Sequence, residues 1–194
     1  EKAISQCFLN ITERIAPKRI SYAKNILIGP PLHETASKIL GPNNKHQLDN
    51  FINQFIKIHD KQVIEHTRPY PGVIEILIKL NSKKIPLAIA TNKRQNPTIK
   101  LLKHFGWDKF FSFVECSDSR TKRRNKSEML NKIIFKNELF KSAIFVGDTI
   151  DDALSAKENN LKFIKANYGY GSKQNWTNVP IFKSINSFYD ITKI

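Results

Sequence analysis

The stretch AIFVGDTIDD, Ala143 to Asp152, decides how the rest of this chain is read. Ala143 to Val146 is a short apolar run with the length and character of a buried parallel strand. Gly147 then lets the backbone turn. Asp148 and Thr149 follow, and Asp151 and Asp152 stand where a helix, DDALSAKE, would begin. Carboxylates thus gather at the C-terminal end of a strand, the edge at which open α/β sheets bind ligands. Asp148 and Asp152 are hard oxygen donors spaced so that a helical turn after Thr149 lets both face one point, as Mg²⁺ requires. The same residues can be read without a ligand. Asp148 and Thr149 then cap a helix, and Asp151 and Asp152 favour its dipole.

Outward from this stretch, short apolar runs alternate with helical patterns. Downstream come a helix over Asp151–Glu158, a strand over Leu161–Lys165, a glycine-containing loop from Tyr168 to Ser172, and a closing helix over Ile185–Ile194. Upstream lie a helix over Ser127–Phe135, a short strand over Phe110–Glu115, and a helix over Asn96–Phe105 closed by Gly106. Further back are a strand over Ile85–Ala90, ending in Thr91-Asn92, and a helix over Val73–Leu80. This alternation predicts an α/β fold with a doubly wound parallel sheet and right-handed crossovers. The pattern changes at the turn-rich junction Arg68-Pro69-Tyr70-Pro71-Gly72. Before it, apolar residues recur at helical spacing (Ala3, Ile4, Cys7, Phe8, Ile11; later Leu48, Phe51, Ile52, Phe55, Ile56), and no strand signal occurs. Pro17 ends the first helix, and Pro31 suits the first turn of another that runs to Leu40. Two domains are expected: an all-helical one over 1–67 and an α/β one over 68–194.

The chain of 194 residues carries a net charge of +15. Its lysines are spread along its whole length, and the dense basic run is confined to Arg120–Lys126. No stripe of aromatic and basic residues of the kind that stacks bases is present, so the charge is read as a solvated basic surface rather than a nucleic-acid site. No apolar run is long enough to span a membrane. Cys7 and Cys116 are too few and too distant for a disulfide framework or a zinc site, which fits a reducing cytoplasm. The histidines His33, His46, His59, His66 and His104 have no ligand spacing and are read as structural or surface residues.

Other residues with chemical capacity stand where an element begins or ends. Thr91 closes the strand IPLAIA, where its hydroxyl and the following backbone N–H groups could hold a phosphate oxygen. It could equally cap a turn. Lys126 precedes the helix SEMLNKII, where an ammonium could neutralise a phosphoryl oxygen and a nearby carboxylate. It could equally be one more surface lysine. No phosphate-binding P-loop and no nucleophile elbow is present.

The order of these features is more specific than any one of them. A strand ending in Thr, a Lys before a helix, and a strand ending Gly-Asp-x-x-x-Asp together resemble the haloacid dehalogenase-like hydrolases, and within them the phosphoglycolate phosphatase-like branch. The matching pieces are PYPGVIEIL, LAIATNK, NKSEML, FVGDTIDDALSAKENN and NYGYGS, with ILIGPPL similar to that branch's cap. The resemblance implies a Rossmann-like core with a small helical cap that excludes water and selects the substrate. It implies that the Thr91 hydroxyl and the Asn92 amide bind the transferring phosphoryl group, that Lys126 stabilises its charge, and that Asp148 holds Mg²⁺ with Asp152 in direct or water-mediated support. Polar residues near Gly29–Glu34 become candidates for substrate contact. Ser127 departs from the pattern, since this branch often has Pro there. Lys122 and its neighbouring arginines compete for the role of Lys126.

A larger departure is an absence. The family's first strand ends Asp-x-Asp-x-Thr and supplies the nucleophile and the general acid/base, and no such motif occurs here. That strand lies between those preceding Thr91 and Asp148, so the parent protein is expected to carry it upstream of Glu1. The leading expectation is a Mg²⁺-dependent phosphomonoester hydrolase acting through an aspartyl-phosphate on a small phosphorylated metabolite, with the nucleophile absent from this chain. A catalytically inactive binding or regulatory relative is the alternative, and a nucleic-acid binder, motivated by the charge, comes third.

Overall fold

The structure is a computed structural model that describes residues 2–26, 29–118 and 124–194. It divides into two compact units, Glu1–Thr67 and Arg68–Ile194.

The described elements of the first unit are all helical: α1 (Lys2–Ile15), α2 (Ile20–Lys24), α3 (Leu32–Leu40) and α4 (Leu48–Gln62), with 3₁₀ turns at Pro17–Arg19 and Pro42–Gln47. The apolar stripe of α1, with Cys7, Phe8 and Ile11, packs against Ile39, Leu40, Phe51, Ile52 and Phe55 to form one core. Phe8 stacks on Phe55 with ring centroids 4.6 Å apart. Thr12 is buried in the same stripe and donates its hydroxyl to the Phe8 carbonyl at 2.7 Å, which satisfies that proton. Arg19 closes α3 by donating to the carbonyls of Ile39 (2.8 Å) and Lys38 (2.9 Å), groups that a helix end leaves unsatisfied. The chain leaves α3 through Gly41 at φ +67, a left-handed position that glycine tolerates. Pro31 stands just outside α3, as its extended N-cap residue, rather than in its first turn. His59 stacks on Phe55, a structural placement.

The second unit alternates helix and strand: α5 (Val73–Ser82), β1 (Leu87–Thr91), α6 (Gln95–His104), β2 (Phe111–Cys116), α7 (Lys126–Lys136), β3 (Ile144–Gly147), α8 (Ile150–Glu158), β4 (Lys162–Ala166) and β5 (Lys183–Ile185). Every strand pairing is parallel. The strands form two sheets, β1-β2 and β3-β4-β5, so β1 and β3 each end their sheet. Helix α7 packs on β1 and β2 and also against α8, which packs on β3 and β4. The α7–α8 pair thereby links the two sheets.

The closing helix expected over Ile185–Ile194 is not formed. Ile185 ends β5, whose register runs from Ile164↔Lys183 to Ala166↔Ile185, and Phe188–Lys193 is a 3₁₀ turn. The helical signal there is genuine but short: Ser187 and Asp190 make the reciprocal bonds of a capping box. The strand had no signal of its own, because Lys183 and Ser184 are exposed and Ile185 alone is buried.

Candidate active site

The turn after β3 is built by Asp152. The residue is 4% exposed. One oxygen, Oδ2, accepts from the backbone N–H groups of Asp148 (3.1 Å) and Thr149 (2.9 Å) and from the Thr149 hydroxyl (2.7 Å). The Asp152 N–H donates back to Thr149 Oγ1 at 3.3 Å, completing a capping box at the start of α8. The other oxygen, Oδ1, accepts from Lys126 Nζ in a buried charge-assisted bond. With both oxygens engaged, Asp152 organises the site by fixing the Asp148 backbone and holding the ammonium of Lys126. Gly147 is required by this closeness, since a Cβ there would lie 2.5 Å from the Asp152 side chain.

Asp148 is disposed differently. Its Oδ2 accepts from the Gly171 N–H at 3.2 Å, and Oδ1 takes no hydrogen bond among the described residues. The loop after β4 wraps this side chain: a Cβ on Gly169 would fall on the Asp148 carboxylate, and one on Gly171 on the Asp148 carbonyl oxygen. Gln174 braces the same turn, accepting from the Ile150 N–H at 2.9 Å. The exposed carboxylate of Asp151 lies 3.9 Å from Lys126 Nζ. Among the described residues no group of three or more His, Cys, Asp or Glu converges as a metal cage. The Asp148 carboxylate is a hard oxygen donor of the kind that could hold a Mg²⁺.

Thr91 and Asn92 sit at the end of the other sheet. Thr91 Oγ1 accepts from the Lys93 N–H at 3.1 Å, and its own proton goes to no acceptor among the described residues. Ser117 ties this turn down: its N–H donates to the Thr91 carbonyl (3.1 Å) and its hydroxyl to the Asn92 carbonyl (3.0 Å). The Ser117 carbonyl accepts from the Arg124 N–H at 3.1 Å, just before Lys126. Thus Lys126, Asp148 and Asp152 are joined by direct bonds, while Thr91 and Asn92 reach them through Ser117 and Arg124. Lys122, with Arg120 and Arg123, lies outside the described residues. Gly29–Glu34 belongs to the first unit, where Leu32 opens α3.

Ser117, Gly169, Gly171 and Gln174 were not singled out from the sequence. Their partners lie far along the chain, and only the glycines in NYGYGS gave a local hint. Tyr168, from the same segment, meets Tyr70 edge-on with ring centroids 5.0 Å apart. Burial, with Tyr70, Asp148 and Asp190 adding negative charge, pushes its hydroxyl up to about 12, so it stays protonated.

Comparison with known proteins agrees with this architecture. Residues 1–166 match the family described as haloacid dehalogenase-like hydrolase. The chain is 30% identical over 135 residues to a phosphoglycolate phosphatase of Agrobacterium fabrum, covering 69% of this chain and 55% of the relative. It is 29% identical over 167 residues to pyrophosphatase PpaX of Halalkalibacterium halodurans, covering 85% and 76% of the two. The chain spans about half the length of the first phosphoglycolate phosphatases it matches. A predicted phosphoglycolate phosphatase of Haemophilus somnus shares the fold at TM-score 0.84 and 20% identity, covering 99% of this chain and 90% of the other. The parallel α/β core, the clustered strand-end residues and a family match over most of its length together place this chain in the haloacid dehalogenase-like hydrolase family.

Proposed function

We propose that this chain carries the phosphoryl-binding and cation-binding side of a Mg²⁺-dependent phosphomonoester hydrolase, similar to phosphoglycolate phosphatase. The observation that carries the reading is the buried bond from Lys126 to Asp152, whose other oxygen fixes the turn of Asp148. One ammonium and one carboxylate are thereby held at the end of β3, and a threonine hydroxyl stands at the end of β1. In this reading the Thr91 hydroxyl and the Asn92 amide donate to phosphoryl oxygens. Lys126 neutralises charge that builds on them, and it is already placed when the substrate arrives. Asp148 would hold Mg²⁺, which when bound withdraws charge from the phosphoryl oxygens. No Asp-x-Asp-x-Thr stands in residues 1–194, and in this reading none of the residues named here is the attacking group. The helical unit acts as a cap that selects the substrate and excludes water.

Small phosphorylated metabolites are the proposed substrates, with phosphoglycolate first and pyrophosphate, nucleotides and sugar phosphates to be compared with it. Both cysteines are buried, and a cytoplasmic site of action is part of the proposal. No helix among the described residues is long and apolar enough to cross a membrane. Two cations of the basic run are already committed, Arg124 to Glu115 and Lys126 to Asp152, which weighs against that run as a nucleic-acid site.

The test is phosphate release from this panel by the protein that contains the chain, with and without Mg²⁺. Release that requires Mg²⁺ supports the reading. Absence of turnover on every member, with phosphate esters still bound, favours an inactive binding relative, the reading that the missing motif motivates.

A further inference from the structure

Glu115 lies on β2 opposite Ala90, one step before the pair Thr91↔Cys116. Its carboxylate is 3% exposed yet accepts from three cations: Arg124 at 2.6 Å, Lys132 at 2.7 Å and Lys136 at 3.2 Å. A buried carboxylate is costly unless paired, and one cation suffices to pair it. Lys132 and Lys136 are a turn apart on α7 and fasten that helix to β2. Arg124 does something else. It precedes α7, stands just before Lys126, and its backbone N–H closes on the Ser117 carbonyl, while the Ser117 hydroxyl holds the Asn92 carbonyl.

We infer that Glu115 is a positioning residue: through Arg124 it fixes the start of α7, so that Lys126 is delivered to Asp152 and held in register with the Thr91-Asn92 turn. The inference rests on the phosphoryl-site reading of Lys126 given above. Other side chains hold the entry to α7 as well. Asn125 and Glu128 make a capping box. Asn159 Nδ2 donates to the Ser127 hydroxyl (2.9 Å) and carbonyl (3.2 Å). Glu115 and Arg124 supply the third hold, and the one that reaches across to the other strand end.

The direct test is limited acylation of lysine amines, with modification of Lys126 scored by mass spectrometry against exposed Lys103. Lys126 is protected in the wild-type chain. Glu115→Gln and Arg124→Gln each raise its modification roughly tenfold, by freeing the start of α7. Lys132→Gln, which loosens α7 from β2 without touching Arg124, leaves Lys126 protected. Equal protection in the wild type and both brace variants overturns the inference. So does exposure by Lys132→Gln to the same extent, which would reduce Glu115 to ordinary packing. Should Glu115→Gln fail to fold, Arg124→Gln carries the test, because Glu115 keeps its two α7 partners. In the protein that contains the chain, Arg124→Gln lowers kcat/KM for p-nitrophenyl phosphate roughly tenfold, and Arg124→Lys recovers part of it. If the wild type releases no phosphate, the hydrolase reading falls, while the labelling pattern still decides whether Glu115 places Lys126.

Discussion

At the scale of single residues, the site is an arrangement of carboxylates with unequal duties. Asp152 is buried and fully engaged, and Lys126 depends on it for its buried charge. Asp152→Ala leaves an ammonium without its partner in the interior, a change expected to cost about 3–5 kcal/mol, readable by urea unfolding. Gly171→Ala drives a methyl group onto the Asp148 carbonyl and is expected to cost about 2–3 kcal/mol by the same measurement. Glu115 sets a pH dependence. Burial alone would raise its carboxyl, but hydrogen bonds from Lys132, Arg124 and Lys136 outweigh this and pull it from 4.5 down to about 2. A carboxyl depressed by folding stabilises the native state above its unfolded value, and that contribution is lost as pH falls from about 4.5 towards about 2. Denaturant unfolding over this window should show stability falling with acid, and falling less steeply in Glu115→Gln. From the sequence one could see that Asp148 and Asp152 crowd one strand end, because that depends on neighbours in the chain. The hold of Glu115 on Arg124 and of Gly171 on Asp148 could not be seen, because those partners meet only through the fold.

At the scale of elements, hydrophobic period located most helices and strands to within a residue or two. The stripe of Cys7, Phe8 and Ile11 is the buried face of α1, and Phe8→Ala should cost the helical unit about 3–5 kcal/mol, measured by urea unfolding. The period failed at β5, where three residues at a sheet edge bury one side chain, too little for any periodicity to register. It also gave no sign of the Ser117 turn or of Asp118, whose carboxylate accepts from the Gln95 N–H at 2.7 Å and caps α6 from the end of β2. Caps that come from another element carry no local spacing rule.

At the scale of the whole molecule, the open feature is the pair of sheet edges. Parallel strands are normally covered on both faces and paired on both sides. Here β1 and β3 end their sheets, none of Leu87–Thr91 is fully buried, and Ile144 on β3 is 41% exposed. An additional parallel strand, paired with both, is what the family resemblance implies, and such edges are a liability without one. A chain extended at its N-terminus by an apolar strand ending Asp-x-Asp-x-Thr is therefore expected to melt higher than residues 1–194 alone, by calorimetry. That extended protein also permits the most direct test of the central claim, that Asp148 and its neighbours form a Mg²⁺-dependent phosphoryl site. The measurement is Mg²⁺-dependent phosphate release from phosphoglycolate by the wild type, Asp148→Asn and the control Asp151→Asn, whose carboxylate is 61% exposed. Asp148→Asn is expected to lose about 100-fold or more and Asp151→Asn to change little. Undiminished Mg²⁺-dependent release by Asp148→Asn would contradict that claim.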